Sequence, residues 1–572
     1  MYKEETKELQ IDNNKYNTHG GFAQGIQTRQ MNSQGLRIIP VFAPNFMKNS
    51  KYSFLKNEIV DKALNFWQSA LNVKRPSNKN ILIKRGCTND RLWFFPSKNG
   101  SVDTVCEYNC LPFTKCHTME VPQKFLQACR TRYGTSGLDG SGLPGNGYLM
   151  IIDASPGGLC RDGWLLAYAN TCQLEGNTDR PILGFINFCP NRLDEHYPMS
   201  KVLRYTAIHE MGHALGFNRN LYPFYRDDHG KPRTPRNPVT GMPSTPRGEF
   251  GIFAPSTNVV REVTRTWKSA MVTSTRKIGA LVLPKTLEFA RSHFNCSNLD
   301  GVDLENEGSG ATALTHFEKR VVNDELMSGS VELSLTISGL TLSVFQDSGW
   351  YDVDFQMAQD WKWGKNLGCD FVTKSCSEYM ALKRSRNEST GPWCDYFDRT
   401  RAQCVPYNKA YNLCNMVRHQ HRIPPDKQHV TNHREREFLA GDSKLHDGCA
   451  FFQPMPNLHG TGQTSVCTDT ENNQRLGVNP LMQRFGPNSM CINHGDNKRW
   501  VVETRRGIQS TDDMGATCHE HLCGNGLTIM IGPNAISCPK QGGTVALNVP
   551  GNSGLIKGFV HCPPCTEVCG VS

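Results

Sequence analysis

The chemistry of this chain is concentrated in Thr206–Phe217, which reads Thr-Ala-Ile-His209-Glu210-Met-Gly-His213-Ala-Leu-Gly216-Phe. In a helix, positions i and i+4 lie one turn apart on the same face, so the imidazoles of His209 and His213 can converge on one metal ion. Glu210 sits about 100° round the helix, beside such an ion rather than on it, where its carboxylate can take a proton from water. Neutral nitrogen ligands, an open position for water and a general base are what a zinc hydrolase requires. The structural alternative is a buried helix whose two histidines only satisfy local hydrogen bonds. Tyr205, Ala207, Ile208, Met211, Ala214, Leu215 and Phe217 surround the polar trio, and Gly216 offers a turn directly after it.

Two histidines do not complete a zinc site. A short-spacer pattern would place a third histidine at position 219, which is Arg219, a permanently protonated side chain that cannot ligate. The third ligand therefore comes from elsewhere. Downstream candidates are His229, His293 and His316, or a carboxylate such as Glu249 or Glu262.

The elements that must position these groups are readable in part. Gly35–Phe42 reads as a strand, and 54–71 as an amphipathic helix with Leu55, Ile59, Ala63, Phe66, Trp67 and Ala70 on one face. Tyr148–Asp153 and Pro181–Pro190 read as further strands, feeding a metal helix over Met199–Gly216 in a mixed α+β domain. The glycine-rich stretch Tyr133–Gly147 lacks a phosphate-loop pattern and reads as a flexible loop near the active-site cleft. The basic, proline-rich Arg219–Arg247 reads as a surface loop.

At 572 residues the chain is long enough for two or three domains, and nine tryptophans provide for real cores. The net charge of +10 is spread over the whole length and carries no nucleic-acid signature. The 23 cysteines are dispersed, as expected of disulfides formed in an oxidising compartment, and their odd number leaves at least one free thiol. The tight cluster Cys562-Pro-Pro-Cys565-Thr-Glu-Val-Cys569 reads as disulfide rather than metal knuckle, since no second pair matches it. Sequons occur at Asn99, Asn295 and Asn387. The N-terminus as written has no signal peptide, no segment is apolar enough to span a membrane, and the C-terminus has no lipid-anchor tail. The cysteines nevertheless argue for an extracellular or cell-surface location, with the true start trimmed or misassigned.

A stretch further on reads Gly308-Ser-Gly-Ala-Thr-Ala-Leu-Thr-His316-Phe-Glu-Lys-Arg320-Val-Val-Asn-Asp324-Glu325-Leu326-Met327. Together with the H-E-M-x-H-A-L-G-F run, Thr178–Cys189, Phe345–Trp350, Gly368–Cys376 and the closing cysteine cluster, it resembles leishmanolysin and its animal relatives, the invadolysins. The resemblance runs from about residue 36 to the C-terminus. It implies a metzincin-type zinc endopeptidase with one Zn2+ per chain, held by His209, His213 and His316, with Glu210 as general base and Met327 in a tight turn beneath the metal. It implies an α+β catalytic domain, a central helical and loop domain, and a disulfide-rich, loop-rich C-terminal domain. The boundaries expected are 1–35 for a polar leader that is a remnant of a pro-region, 36–218 for the helix-bearing subdomain, 219–352 for the third ligand and the Met-turn, and 353–572 for the cysteine-rich part. The partners implied are protein or peptide substrates, of the extracellular-matrix or host-protein kind.

The competing function class is a catalytically silent adhesion or decoy protein on the same fold. Intact Glu210 and three intact histidines argue against it, because a binding module has no use for a base beside an open metal site. The histidine- and arginine-rich stretch Arg418–Arg436 reads as a solvated linker in preference to a surface for acidic glycans.

Overall fold

The computed structural model describes residues 35–569 apart from 97–101, 164, 248–250, 309–311, 331, 334, 398–400, 405–408, 432, 457–462, 476–478, 496–498, 511–513 and 525. The chain forms two compact units, a larger one of Ser33–Tyr407 with Tyr411–Ser465, and a smaller one built on Val466–Ser572.

The larger unit is organised on a four-stranded sheet of β1 (Arg37–Phe42), β2 (Gly147–Asp153), β3 (Ala167–Leu174) and β4 (Pro181–Phe188), in the order β1-β2-β4-β3. β1, β2 and β4 are parallel; β3 runs antiparallel to β4 and forms the edge. The central strand β2 is Gly-Tyr-Leu-Met-Ile-Ile-Asp, buried throughout, as a strand covered on both faces must be. Alternate residues serve two cores. Tyr148, Met150 and Ile152 pack toward the helices, and Leu149 and Ile151 pack on Ile83, Leu126 and Leu183 on the opposite face.

The helical face is covered by α1 (Asp61–Ala70) and α2 (Met199–Leu215). The chain enters α1 through Tyr52–Phe54 and a wide turn at Leu55–Val60, so the amphipathic stretch expected over 54–71 is present with its apolar face inward. Trp67 fixes α1 to α2 by donating its indole N–H to the Ile208 carbonyl at 2.9 Å. The C-terminal carbonyls of α2 have no partners within the helix. Here buried hydroxyls supply them: Tyr148 and Thr171 donate to Ala214, Tyr351 to Leu215 and Tyr225 to Gly216.

Beyond α2 come the hairpin β5 (Val260–Lys268) and β6 (Thr273–Leu281), the helix α3 (Pro284–Phe294) and the short strand β7 (Val302–Asp303) paired to β6. A strap through His316 follows. It is held by an antiparallel bridge between Leu304 and Phe317 and leads to α4 (Gly339–Asp347).

Three expectations change in the structure. The glycine-rich stretch does not line the cleft. Gly140 and Gly145 instead lie against the carbonyls of Lys124 and Ser77, where any side chain would collide. The Arg219–Arg247 stretch is only partly a surface loop, since Tyr222 and Tyr225 are buried and Arg226 and Arg236 both pair with Asp179. Arg418–Arg436 is not a linker. Its first strand, Met416–Arg418, pairs with Leu439–Gly441, His429 is buried, and Arg418 and Arg422 pair with Glu435 and Glu437.

Disulfides lace both units. In the larger, Cys116–Cys172 and Cys160–Cys189 secure the edge of the main sheet. The smaller unit carries Cys467–Cys518, Cys523–Cys569 and Cys538–Cys562, with Cys565 left as a buried free thiol. It also contains an eight-stranded antiparallel sheet around Ile492, Trp500, Ile529 and Val560, which the sequence reading did not place. Among the described residues no helix is long and apolar enough to cross a membrane.

Candidate metal centre

α2 carries His209 and His213 on one face, as the i, i+4 spacing requires, and the strap delivers His316 to meet them. The three Nε2 atoms lie 3.0 Å (His209–His213), 3.1 Å (His213–His316) and 3.2 Å (His209–His316) from one another. Each ring spends its other nitrogen on a backbone carbonyl: His209 Nδ1 on Leu326 at 2.6 Å, His213 Nδ1 on Phe217 at 2.6 Å and His316 Nδ1 on Thr312 at 3.0 Å. A carbonyl only accepts, so each Nδ1 must be the protonated nitrogen and each Nε2 presents a lone pair.

The short Nε2 separations are therefore not hydrogen bonds. Three lone pairs aimed at one buried point repel unless an electron-pair acceptor stands between them. Nitrogens bound at about 2.0–2.1 Å to a tetrahedral ion stand about 3.3 Å apart, close to the spacing found. The donor set fits a zinc ion, and His209, His213 and His316 could hold one. Burial favours the neutral form of all three rings. It brings His213 down to about 4 and His316 to about 3, and lowers His209 strongly, with mutual repulsion of the rings adding to the effect on His209 and His316.

Glu210 is partly buried on the next position of α2. Loss of solvent pushes its carboxyl up to about 8, opposed by a hydrogen bond from the Ala169 backbone N–H of β3. A divalent cation on the neighbouring imidazoles would favour the ionised form again.

Met327 lies directly beneath. A Cβ added at Gly212 would stand 3.1 Å from the Met327 Sδ and 3.2 Å from Trp67, so glycine at 212 lets the thioether pack under the helix between its two histidines. The turn itself is built on Glu325, a fully buried carboxylate that accepts from the Met327 N–H (2.6 Å), the Ser338 hydroxyl (2.8 Å) and the Thr341 hydroxyl (2.6 Å). Phe317 N–H donates to the Met327 carbonyl at 3.0 Å, which ties the His316 strap to the same turn. Buried Lys319 adds bonds to the Asn323 carbonyl, the Ser328 hydroxyl and the Ser330 carbonyl.

The other ligand candidates are occupied elsewhere. His229 is exposed beside Asp227. His293 stacks on Trp361 at 4.0 Å and bonds the Trp363 carbonyl. Glu262 pairs with Lys277 on the exposed hairpin, and Glu249 lies outside the described residues, as does the sequon at Asn99. A second group, Cys376, His429 and Cys449, has ligand types within reach of one another, but its two cysteines are joined as a disulfide.

Sequence reasoning missed the edge strand β3, whose residues Ala167–Asn170 line a cleft of about 900 Å3 together with Glu210 and the three histidines. It also missed Glu325, although an acidic residue directly before an apolar pair that must be buried was a usable signal.

A sheet with its antiparallel edge on a cleft, a histidine trio brought together from a helix and a strap, and Glu210 on the same cleft are the parts that a metallopeptidase requires. The leishmanolysin family model matches residues 115–229 and 256–571, and the chain belongs to the leishmanolysin family. It is 32% identical over 558 residues to a leishmanolysin-like peptidase of Drosophila melanogaster, covering 94% of this chain and 80% of that protein. Similarity extends to a leishmanolysin-like peptidase of Caenorhabditis elegans (30% over 539 residues, covering 90% and 80%) and to leishmanolysin of Leishmania major (24% over 435 residues, covering 75% and 60%).

Proposed function

We propose that this chain is a zinc-dependent endopeptidase with His209, His213 and His316 as ligands, Glu210 as general base and Met327 as the packing residue beneath the ion. The observation that carries the reading is the convergence of three Nε2 lone pairs at 3.0–3.2 Å, each fixed in that tautomer by a carbonyl on its other nitrogen. Zinc held there supplies the Lewis acidity that polarises a scissile carbonyl and makes water easier to deprotonate. The chain's own residues do the rest. The free edge of β3 receives an extended peptide as an additional strand, so the substrate is held by main-chain hydrogen bonds. Glu210 takes the proton of water as the oxygen attacks the carbonyl carbon, and the same carboxyl returns it to the departing amine.

The disulfides favour an oxidising compartment, and the reading extends to a secreted or cell-surface protein whose exposed sequons Asn295 and Asn387 accept glycans. The test is a pair of measurements on the full chain. Glu210→Gln is expected to keep one zinc per chain while peptide cleavage falls by about 10²–10⁴. Zinc-loaded Glu210→Gln with unreduced cleavage, or native chain with no bound zinc, would overturn the assignment.

A further inference from the structure

The edge strand β3 has two faces, and only one of them serves the metal helix. The Leu166 carbonyl accepts from the Cys189 N–H at 2.8 Å, continuing the β3–β4 ladder, so Leu166 faces β4 and its alternate neighbours Ala167 and Ala169 point off the sheet. In an antiparallel ladder alternate residues direct their N–H and C=O to the same side, so Ala167 and Ala169 offer theirs to the cleft while Tyr168 bonds inward to β4. Side chains alternate as well. Ala167 packs in the core beneath α2, so Tyr168 faces the opposite way. The register pairs Tyr168 with Asn187 and Asn170 with Phe185, which places Tyr168 and Phe185 on one face of the sheet.

That face carries a built aromatic cluster. His117 stacks on Phe185 with centroids 4.3 Å apart and planes at 9°, and its Nε2 lies 3.2 Å from the Tyr168 hydroxyl. Tyr168 meets Phe185 edge-on at 5.9 Å. Gly158 lies over the Tyr168 hydroxyl, where an added Cβ would stand 2.8 Å away, so the loop carrying Leu159 closes the subsite. Cys160–Cys189 staples that loop to the end of β4. Leu159 is 49% exposed, and Leu159, Tyr168 and Phe185 all line the cleft.

Resting on the peptidase reading, we propose that Tyr168, backed by His117 and Phe185 and walled by Leu159, is a specificity-determining subsite for an aromatic or branched aliphatic substrate side chain. A peptide added antiparallel to β3 places one residue opposite Tyr168 as a non-hydrogen-bonded pair, the kind in which side chains approach most closely. That residue's side chain must lie on Tyr168's face. Its two neighbours turn toward the metal helix and are not selected by this cluster.

The test separates selection from turnover. Fluorescent peptides differing only at one position (Phe, Leu, Gly or Asp) are bound to the zinc-loaded Glu210→Gln chain, and a peptide library is cleaved by the native chain. The expected result is about tenfold tighter binding of Phe or Leu over Gly or Asp at one position, and the same preference in the library. Tyr168→Ala should bring the preference below threefold, Tyr168→Phe should keep it, and Leu159→Ser, on the loop, should weaken it without loss of zinc. Should Tyr168→Ala fail to fold, Leu159→Ser decides. An unchanged preference in the folded variants, or equal loss in Tyr168→Phe and Tyr168→Ala, overturns the subsite. Selective binding with no cleavage by the native chain leaves the subsite standing and overturns the peptidase reading instead.

Discussion

Replacing Glu325 by alanine tests whether the turn beneath the metal is a carboxylate-built device or ordinary core. The Glu325 carboxylate is fully buried and receives three donors: the Met327 N–H and the hydroxyls of Ser338 and Thr341. Burial raises its carboxyl to about 7, and those donors pull the other way. Alanine would leave the three donors without their acceptor in a region closed to water. Each orphaned buried donor costs about 1–3 kcal/mol, so the fold should lose about 3–9 kcal/mol, or about 1–3 kcal/mol if both hydroxyls find other partners. The metal site should register the change through a specific path. The Leu326 carbonyl, one residue on, fixes His209 Nδ1 at 2.6 Å, and loss of such a partner typically lowers metal affinity about 10–100-fold. Glu325→Gln separates the two effects: its Oε1 can still serve the hydroxyls, while its Nε2 meets the Met327 N–H donor to donor. The assay is thermal unfolding with and without chelator, with zinc affinity measured by competition. Wild-type melting and wild-type zinc affinity in Glu325→Ala would refute the reasoning.

Other expectations follow from the same geometry. His316→Ala should abolish stoichiometric zinc by metal analysis, whereas His229→Ala, an exposed histidine far from the trio in role, should leave it at one per chain. Gly212→Val forces side-chain atoms against Met327 and Trp67 and should cost about 1–3 kcal/mol of stability, read by chemical denaturation. Arg265→Met removes the partner of Asp303, which it holds with two bonds at 2.8 and 3.3 Å; the uncompensated buried carboxylate should cost about 3–5 kcal/mol and show as loss of folded protein on expression. Glycosidase treatment of protein secreted from animal cells should remove glycans from Asn295 and Asn387, seen as mass shifts of the peptides that carry them.

The parts legible in sequence were those whose physics is local. α2 announced itself because two ligands one helical turn apart sit in an apolar run, β2 and β4 because strands buried on both faces leave continuous apolar stretches, and β1 because Ile-Ile-Pro-Val-Phe is an apolar run even on a half-buried strand. β3 did not. Ala-Tyr-Ala-Asn-Thr-Cys-Gln-Leu has neither alternation nor a continuous run; it is a strand because β4 pairs with it and Cys116 staples it through Cys172. The third ligand was chosen by resemblance, since no spacing rule reaches from 213 to 316. Its position depends on bridges at Leu304–Phe317 and Phe317–Ser328 that no short window contains. The eight-stranded sheet of the smaller unit stayed hidden because polar residues interrupt its strands, as in Ala-Thr-Cys-His-Glu-His-Leu-Cys over Ala516–Cys523, and its pairings reach across the unit.

Each imidazole of the trio is oriented by a carbonyl, but the carbonyls come from different places, and that difference decides what the site is coupled to. His213 is fixed by Phe217 at the end of its own helix and His316 by Thr312 on its own strap, so each is set within its segment. His209 alone is fixed across segments, by Leu326 in the turn that also carries Met327 and that Glu325 holds. The strap, the turn and the helix are thus joined in one series of links: His316 is followed by Phe317, Phe317 bonds Met327, and Leu326 bonds His209, which sets the Nε2 atoms of His209 and His316 3.2 Å apart. These links hold the repelling lone pairs of His209 and His316 together only while each of them is present. The long sequence gap between ligands is therefore tolerated because Glu325 and Phe317 close the loop locally, at the metal.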